Sequence, residues 1–121
     1  MELTTVSDLL IVDDDEGMRM TLAIGFARLG WDVALARNAD EALEHLKHRQ
    51  FDWALVDVRL PGMQGTELAS HIRRASPATG VVLMTAYDPP SARRIADLGV
   101  QAVWEKPFSF ERLGRLLTTS V

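Results

Sequence analysis

Two kinds of apolar pattern alternate along the chain. Leu9-Leu10-Ile11-Val12, Trp53-Ala54-Leu55-Val56 and Gly80-Val81-Val82-Leu83-Met84 are short, uniformly apolar runs, each followed by polar or turn-forming residues. They are too uniform for half-exposed strands and predict strands buried on both faces, as in a parallel sheet covered by helices. Between them the spacing becomes helical. Met18, Leu22, Phe26 and Leu29 predict one helical face, stopped by Gly30. Trp31 to Ala36 alternates weakly and predicts a second strand. Asn38 with Glu41 three residues later predicts a capping-box variant, opening a short helix on Ala39, Ala42, Leu43 and Leu46 that runs to about His48.

After Gly65, the spacing of Leu68, Ala69 and Ile72 predicts a helix ending before Pro77. Pro89-Pro90 cannot lie inside a helix or a central strand. Ser91 then caps a short helix to Leu98, stopped by Gly99. Val100 to Trp104 predicts a fifth strand. Ser109 caps a last helix with Phe110, Leu113, Leu116 and Leu117 on its apolar face. Five strand–helix pairs in strict alternation imply an α/β domain, a doubly wound parallel sheet with right-handed crossovers and helices on both faces.

Length and composition narrow this picture. The 121 residues suit one domain spanning 1–121, with a core from about 8 to 118. The absence of cysteine excludes disulfide scaffolds, thiol catalysis and zinc–thiolate sites. Net charge is −4 and no basic run exceeds Arg73-Arg74 or Arg93-Arg94, which argues against direct nucleic-acid binding by this segment. No apolar stretch reaches the length of a membrane span, and no basic-then-apolar leader opens the chain, so the expected location is the cytoplasm, away from the membrane.

The candidate chemistry lies at the strand ends. Asp13-Asp14, Asp57, Thr85 and Lys106 each follow or end a predicted strand. In a parallel sheet all four places share one edge, the edge where open α/β sheets bind ligands. Converging carboxylates repel one another, and a divalent cation with one ammonium relieves that repulsion. An all-oxygen ligand set selects a hard ion, and magnesium suits one or two carboxylates with water and a phosphate oxygen. A carboxylate can act as nucleophile and become an aspartyl-phosphate, with Lys106 and the metal neutralising the transferring group and Thr85 hydrogen-bonding it. Each residue also has a structural reading. Asp57 alone can be a turn residue, Asp15 a helix N-terminal acid, Thr85 a turn residue and Lys106 a surface cation. His45 and His48, near Glu41 and Glu44, are read as a surface face, and Trp31 and Trp53 as packing residues.

Taken together, these residues resemble the response-regulator receiver domains of two-component signalling. The resemblance runs from about Leu9 to Leu117 and rests on four pieces in order: Asp13-Asp14, Asp57 within Asp-Val-Arg-Leu-Pro-Gly-Met-Gln-Gly, Thr85-Ala86 and Lys106-Pro107-Phe108. It implies a flavodoxin-like fold with strand order 2-1-3-4-5 and five helices. It implies that Asp57 accepts a phosphoryl group from the phosphohistidine of a sensor histidine kinase or a phosphotransfer protein. It also implies magnesium on Asp14, Asp57 and the backbone carbonyl of Arg59, with Asp13 acting partly through water, and a cis bond at Lys106-Pro107. Such a chain catalyses only its own phosphorylation and dephosphorylation. No effector domain falls within this sequence, which suits either a stand-alone receiver or a piece of a regulator or hybrid kinase.

Three departures qualify the resemblance. Val103 stands where the family usually has an aromatic residue, and Trp104, one residue on, faces the other side of a strand. The segment from Thr85 to Lys106 is about one residue short. The family's output and dimer face, on the fourth helix, fifth strand and fifth helix, would here carry Arg93, Arg94, Asp97, Glu105 and Arg115. Two positions that tune phosphoryl lifetime in the family are Arg59 and Tyr87, both large enough to shield the acyl phosphate and slow its hydrolysis. Two other functions compete. Asp13-Asp14-Asp15 resembles the Asp-x-Asp of haloacid-dehalogenase-type phosphatases, with Asp13 as nucleophile and Asp15 as acid–base, although Gly17 stands where Thr or Val is expected. A degenerate receiver would only bind partners.

Overall fold

A computed structural model describes residues 7–86 and 91–106. In chain order they form β1 (Asp8–Val12), α1 (Glu16–Arg28), β2 (Asp32–Ala36), α2 (Ala39–His48), β3 (Trp53–Asp57), α3 (Gly65–Ala75), β4 (Gly80–Thr85), α4 (Ala92–Leu98) and β5 (Ala102–Glu105). The five strands make one parallel sheet in the order β2-β1-β3-β4-β5. The fold class and strand order match the expectation. Four of the five expected helices are described; the fifth falls on 107–121, outside the described residues. None of the described helices is long and apolar enough to cross a membrane.

The uniform apolar runs are central strands. Every residue of β3 and β4 is buried, whereas the edge strands β2 and β5 are only partly so. Alternate residues feed two separate cores. Leu10, Ala54, Val56, Val81 and Leu83 pack with Leu68, Ala69 and Ile72 of α3 on one face. Leu9, Ile11, Leu55, Val82 and Met84 pack with Leu22 and Phe26 of α1 on the other. This two-sided burial is why the strands carry no polar alternation.

The helix ends follow local chemistry. Asp15 caps α1 by accepting from the Gly17 N–H. Asn38 accepts from Glu41 N–H at 2.9 Å, and Glu41 returns to the Arg37 N–H at 2.7 Å, one residue earlier than an ordinary capping box. Ser91 caps α4 through the Arg94 N–H.

Two expectations are corrected. Leu29, expected on one helical face with Leu22 and Phe26, is half exposed. The helix stops at Arg28, Gly30 turns the chain at φ +93°, and Trp31 takes the buried place instead. Its ring meets Phe26 edge-on at 5.8 Å. The fifth strand begins at Ala102 and not at Val100, because Gln101 occupies the approach. Its side-chain oxygen accepts from the Val81 N–H at 2.7 Å, and its own N–H donates to the Val81 carbonyl at 2.8 Å.

Candidate phosphoacceptor site

The parallel sheet brings the ends of β1, β3, β4 and β5 to one edge, and with them Asp13, Asp14, Asp57, Thr85 and Lys106. The main chain ties these ends together. Asp13 N–H donates to the Ala36 carbonyl, Val58 N–H to the Met84 carbonyl and Lys106 N–H to the Thr85 carbonyl, at 3.1, 2.8 and 2.8 Å. Beyond Asp57 the chain turns through Pro61-Gly62, with Gly62 at φ +82°, and returns at Gly65 to donate to the Val58 carbonyl at 2.8 Å. A side chain at Gly65 would run into the Asp57 carbonyl oxygen and the Val58 Cα. Only glycine lets α3 start this close to the end of β3.

Lys106 is the centre of the cluster. Its Nζ donates to Asp13 Oδ2 at 2.8 Å and to Asp57 Oδ2 at 3.1 Å. The remaining oxygens are also engaged: Asp13 Oδ1 accepts from the Asp15 N–H and Asp57 Oδ1 from the Arg59 N–H, each at 3.0 Å. Asp13 is fully buried and Asp57 nearly so, while Asp14 next in sequence is exposed. Asp14 lines an open hollow with Arg59, Pro61 and Gln64. Thr85 is buried at the end of β4, one residue past Met84, the register partner of Asp57.

Burial pushes the Asp57 carboxyl above its ordinary range. The Arg59 N–H opposes this, the Asp13 charge adds to it, and Lys106 opposes it. For Lys106, burial acts to lower the pKa, but hydrogen bonds and charge from Asp13 and Asp57 outweigh it and the net shift is upward. The ammonium is therefore held charged between the two acids.

One carboxylate oxygen from each of Asp13, Asp14 and Asp57 lies within 4.8 Å of the others. Three acids against one ammonium leave an excess of negative charge, and every donor is a hard oxygen. That set fits a hard divalent cation.

Val103 and Trp104 face opposite ways, as strand geometry requires. Val103 lies beside Leu83 and its core, Trp104 beside Met84 and the other. The register is regular, so Trp104 does not replace an aromatic residue at 103. Tyr87, Pro89-Pro90 and Pro107 lie outside the described residues; Arg59 is exposed. His48 pairs with Glu44 at 2.9 Å on the surface, and His45 meets the Leu35 carbonyl, in keeping with a structural reading of both.

Sequence reasoning passed over Arg19. It is buried in the first turn of α1, with Nη1 donating to the Asp13 carbonyl at 2.8 Å. One signal was available: Arg19 shares the spacing of Leu22 and Phe26 and so falls on the buried stripe.

The profile of the response regulator receiver domain matches residues 9–118. The response regulator protein PilR of Pseudomonas aeruginosa is 36% identical over 113 residues, covering 93% of this chain and 25% of PilR. The chain thus spans about a quarter of that relative's length. A response regulator from Burkholderia pseudomallei, solved with a phosphorylated aspartic acid, a calcium ion and citrate, is 29% identical with a TM-score of 0.86. The match covers 94% of this chain and 68% of that one. TrrA from Thermotoga maritima, solved with Mg(2+)-BeF, is 26% identical with a TM-score of 0.82, covering 96% and 100% of the two chains. Fold, site residues in order and the profile match over nearly the whole chain agree: this chain belongs to the response-regulator receiver domains.

Proposed function

We propose that this chain, as one receiver unit with a core of about 8–118, is a phosphorylation-dependent signalling switch whose phosphoacceptor is Asp57. The observation that carries the reading is the Lys106 ammonium shared between Asp13 and Asp57 at the ligand-binding edge of the sheet. A carboxylate oxygen of Asp57 attacks the phosphorus of a phosphohistidine on a sensor histidine kinase or phosphotransfer protein. The O–P bond forms, the P–N bond breaks, and the imidazole leaves with the electron pair. Burial raises the basicity of Asp57 and so its nucleophilicity. Lys106 then offsets charge on the phosphoryl oxygens, and the Thr85 hydroxyl donates to one of them. Asp13, Asp14, Asp57 and the Arg59 carbonyl would hold magnesium, which supplies further charge neutralisation when bound. Return to the resting state is attack of water on the acyl phosphate, with no external substrate turned over. The proposed setting is the cytoplasm, with an effector domain elsewhere in the regulator.

Asp13 is a poor candidate for the nucleophile of a phosphatase. Its side chain has no exposed surface, whereas that of Asp57 is 11% exposed. Incubation with a small acyl-phosphate donor and magnesium, followed by borohydride reduction and peptide mass analysis, tests the assignment. The label is expected on Asp57, and it should vanish in Asp57→Asn and in chelator. A label on Asp13, or none at all, defeats the proposal.

A further inference from the structure

Arg19 stands where a cation is doubly disfavoured. The first turn of a helix carries the positive end of the dipole, and Arg19 is also only 9% exposed. The Glu41 carboxylate is near enough to interact with the Arg19 charge, but the hydrogen bond from Arg19 goes elsewhere. Nη1 donates to the main-chain carbonyl of Asp13 at 2.8 Å, in a buried setting. The N–H of Asp13 is held from the other side by the Ala36 carbonyl. A peptide group is planar, so fixing the Asp13 carbonyl fixes the N–H and Cα of Asp14 as well. The two acids leave this peptide in different directions: Asp13 into the buried pair with Lys106, Asp14 to the open hollow beside Arg59.

We infer that Arg19 is a positioning residue for the acidic pair, orienting the Asp13–Asp14 peptide so that both carboxylates converge with Asp57 on a divalent cation. The inference rests on the phosphoacceptor reading above. It carries a sign that simple electrostatics does not. A guanidinium near the cluster repels a metal ion, so as a mere neighbouring charge its removal would tighten metal binding. As a positioning group, its removal weakens binding, in the way loss of a group supporting a ligand lowers metal affinity.

Magnesium affinity measured by calorimetry on the intact chain, without phosphodonor, separates the two. Arg19→Met should weaken binding about tenfold, with the folded state checked by circular dichroism. Arg19→Lys keeps the charge but loses the planar fork and its reach, and should weaken binding roughly threefold. If Arg19→Met does not fold, Arg19→Lys decides alone, since its charge is unchanged. Unchanged or tighter affinity in the folded variants overturns the inference while leaving the functional reading intact, provided the wild-type chain binds magnesium. A wild-type chain that binds none overturns both.

Discussion

Asp57 titrates against its own burial. Its pKa in the folded chain is raised, so the folded state holds the proton more tightly than the unfolded one. Stability from this group is present below the unfolded carboxylate value, about 4, and is lost as pH rises through the folded value. In metal-free buffer, Asp57→Asn should therefore melt higher than wild type at pH 7, and the difference should fade as pH drops below about 4. Thermal melts across that span check it; a constant gap between the two proteins contradicts it. At this scale the site was legible because polar residues ending buried strands stand out against their apolar neighbours. The different surroundings of Asp13 and Asp14 were not, since adjacency says nothing of which carboxylate turns inward. Arg19 was hidden because a charged residue in a polar-looking stretch reads as surface, and only its spacing with Leu22 and Phe26 marks it as buried.

The elements meet most closely where α3 begins beside the end of β3. Gly65 leaves no room for a Cβ there, and the obstruction is backbone, which cannot rotate aside. Gly65→Ala should cost about 2 kcal/mol or more, read as a lower urea midpoint with an unchanged slope. Equal midpoints would mean that the loop from Val58 to Gln64 yields easily. Helices α2 and α4 were readable from their caps, because Asn38 and Ser91 act locally on the next few N–H groups. The end of α1 and the start of β5 were not. Leu29 keeps helical spacing on paper, but the chain has already turned to bury Trp31, and the start of β5 depends on a contact from Gln101 to Val81. Both are settled by partners distant in sequence or by packing.

For the whole molecule, the order β2-β1-β3-β4-β5 leaves β5 at one edge with α4 next to it in sequence. Arg93, Arg94, Asp97 and Glu105 are exposed there, whereas Arg115 lies outside the described residues. Under the proposed function this face is the one expected to carry output and self-association, against the alternative of a plain solvated charged face. Beryllofluoride with magnesium should raise the mass in solution toward a dimer, and light scattering with and without it provides the check. An identical mass in both conditions, with no partner affinity gained, counts against that surface. With Val103 in regular register beside Leu83, the output cannot depend on an aromatic side chain at that position.

Lys106 follows directly on the edge strand, yet its ammonium reaches acids that follow β1 and end β3. In mechanical terms it is a tether from the rim of the sheet to its middle, fastened at two points. One of those fastenings is Oδ2 of Asp57, an oxygen of the carboxylate that phosphorylation would alter. Under the proposed function, chemistry on Asp57 would therefore also change how firmly the outermost strand is moored, at the place where the sheet has a neighbour on only one side.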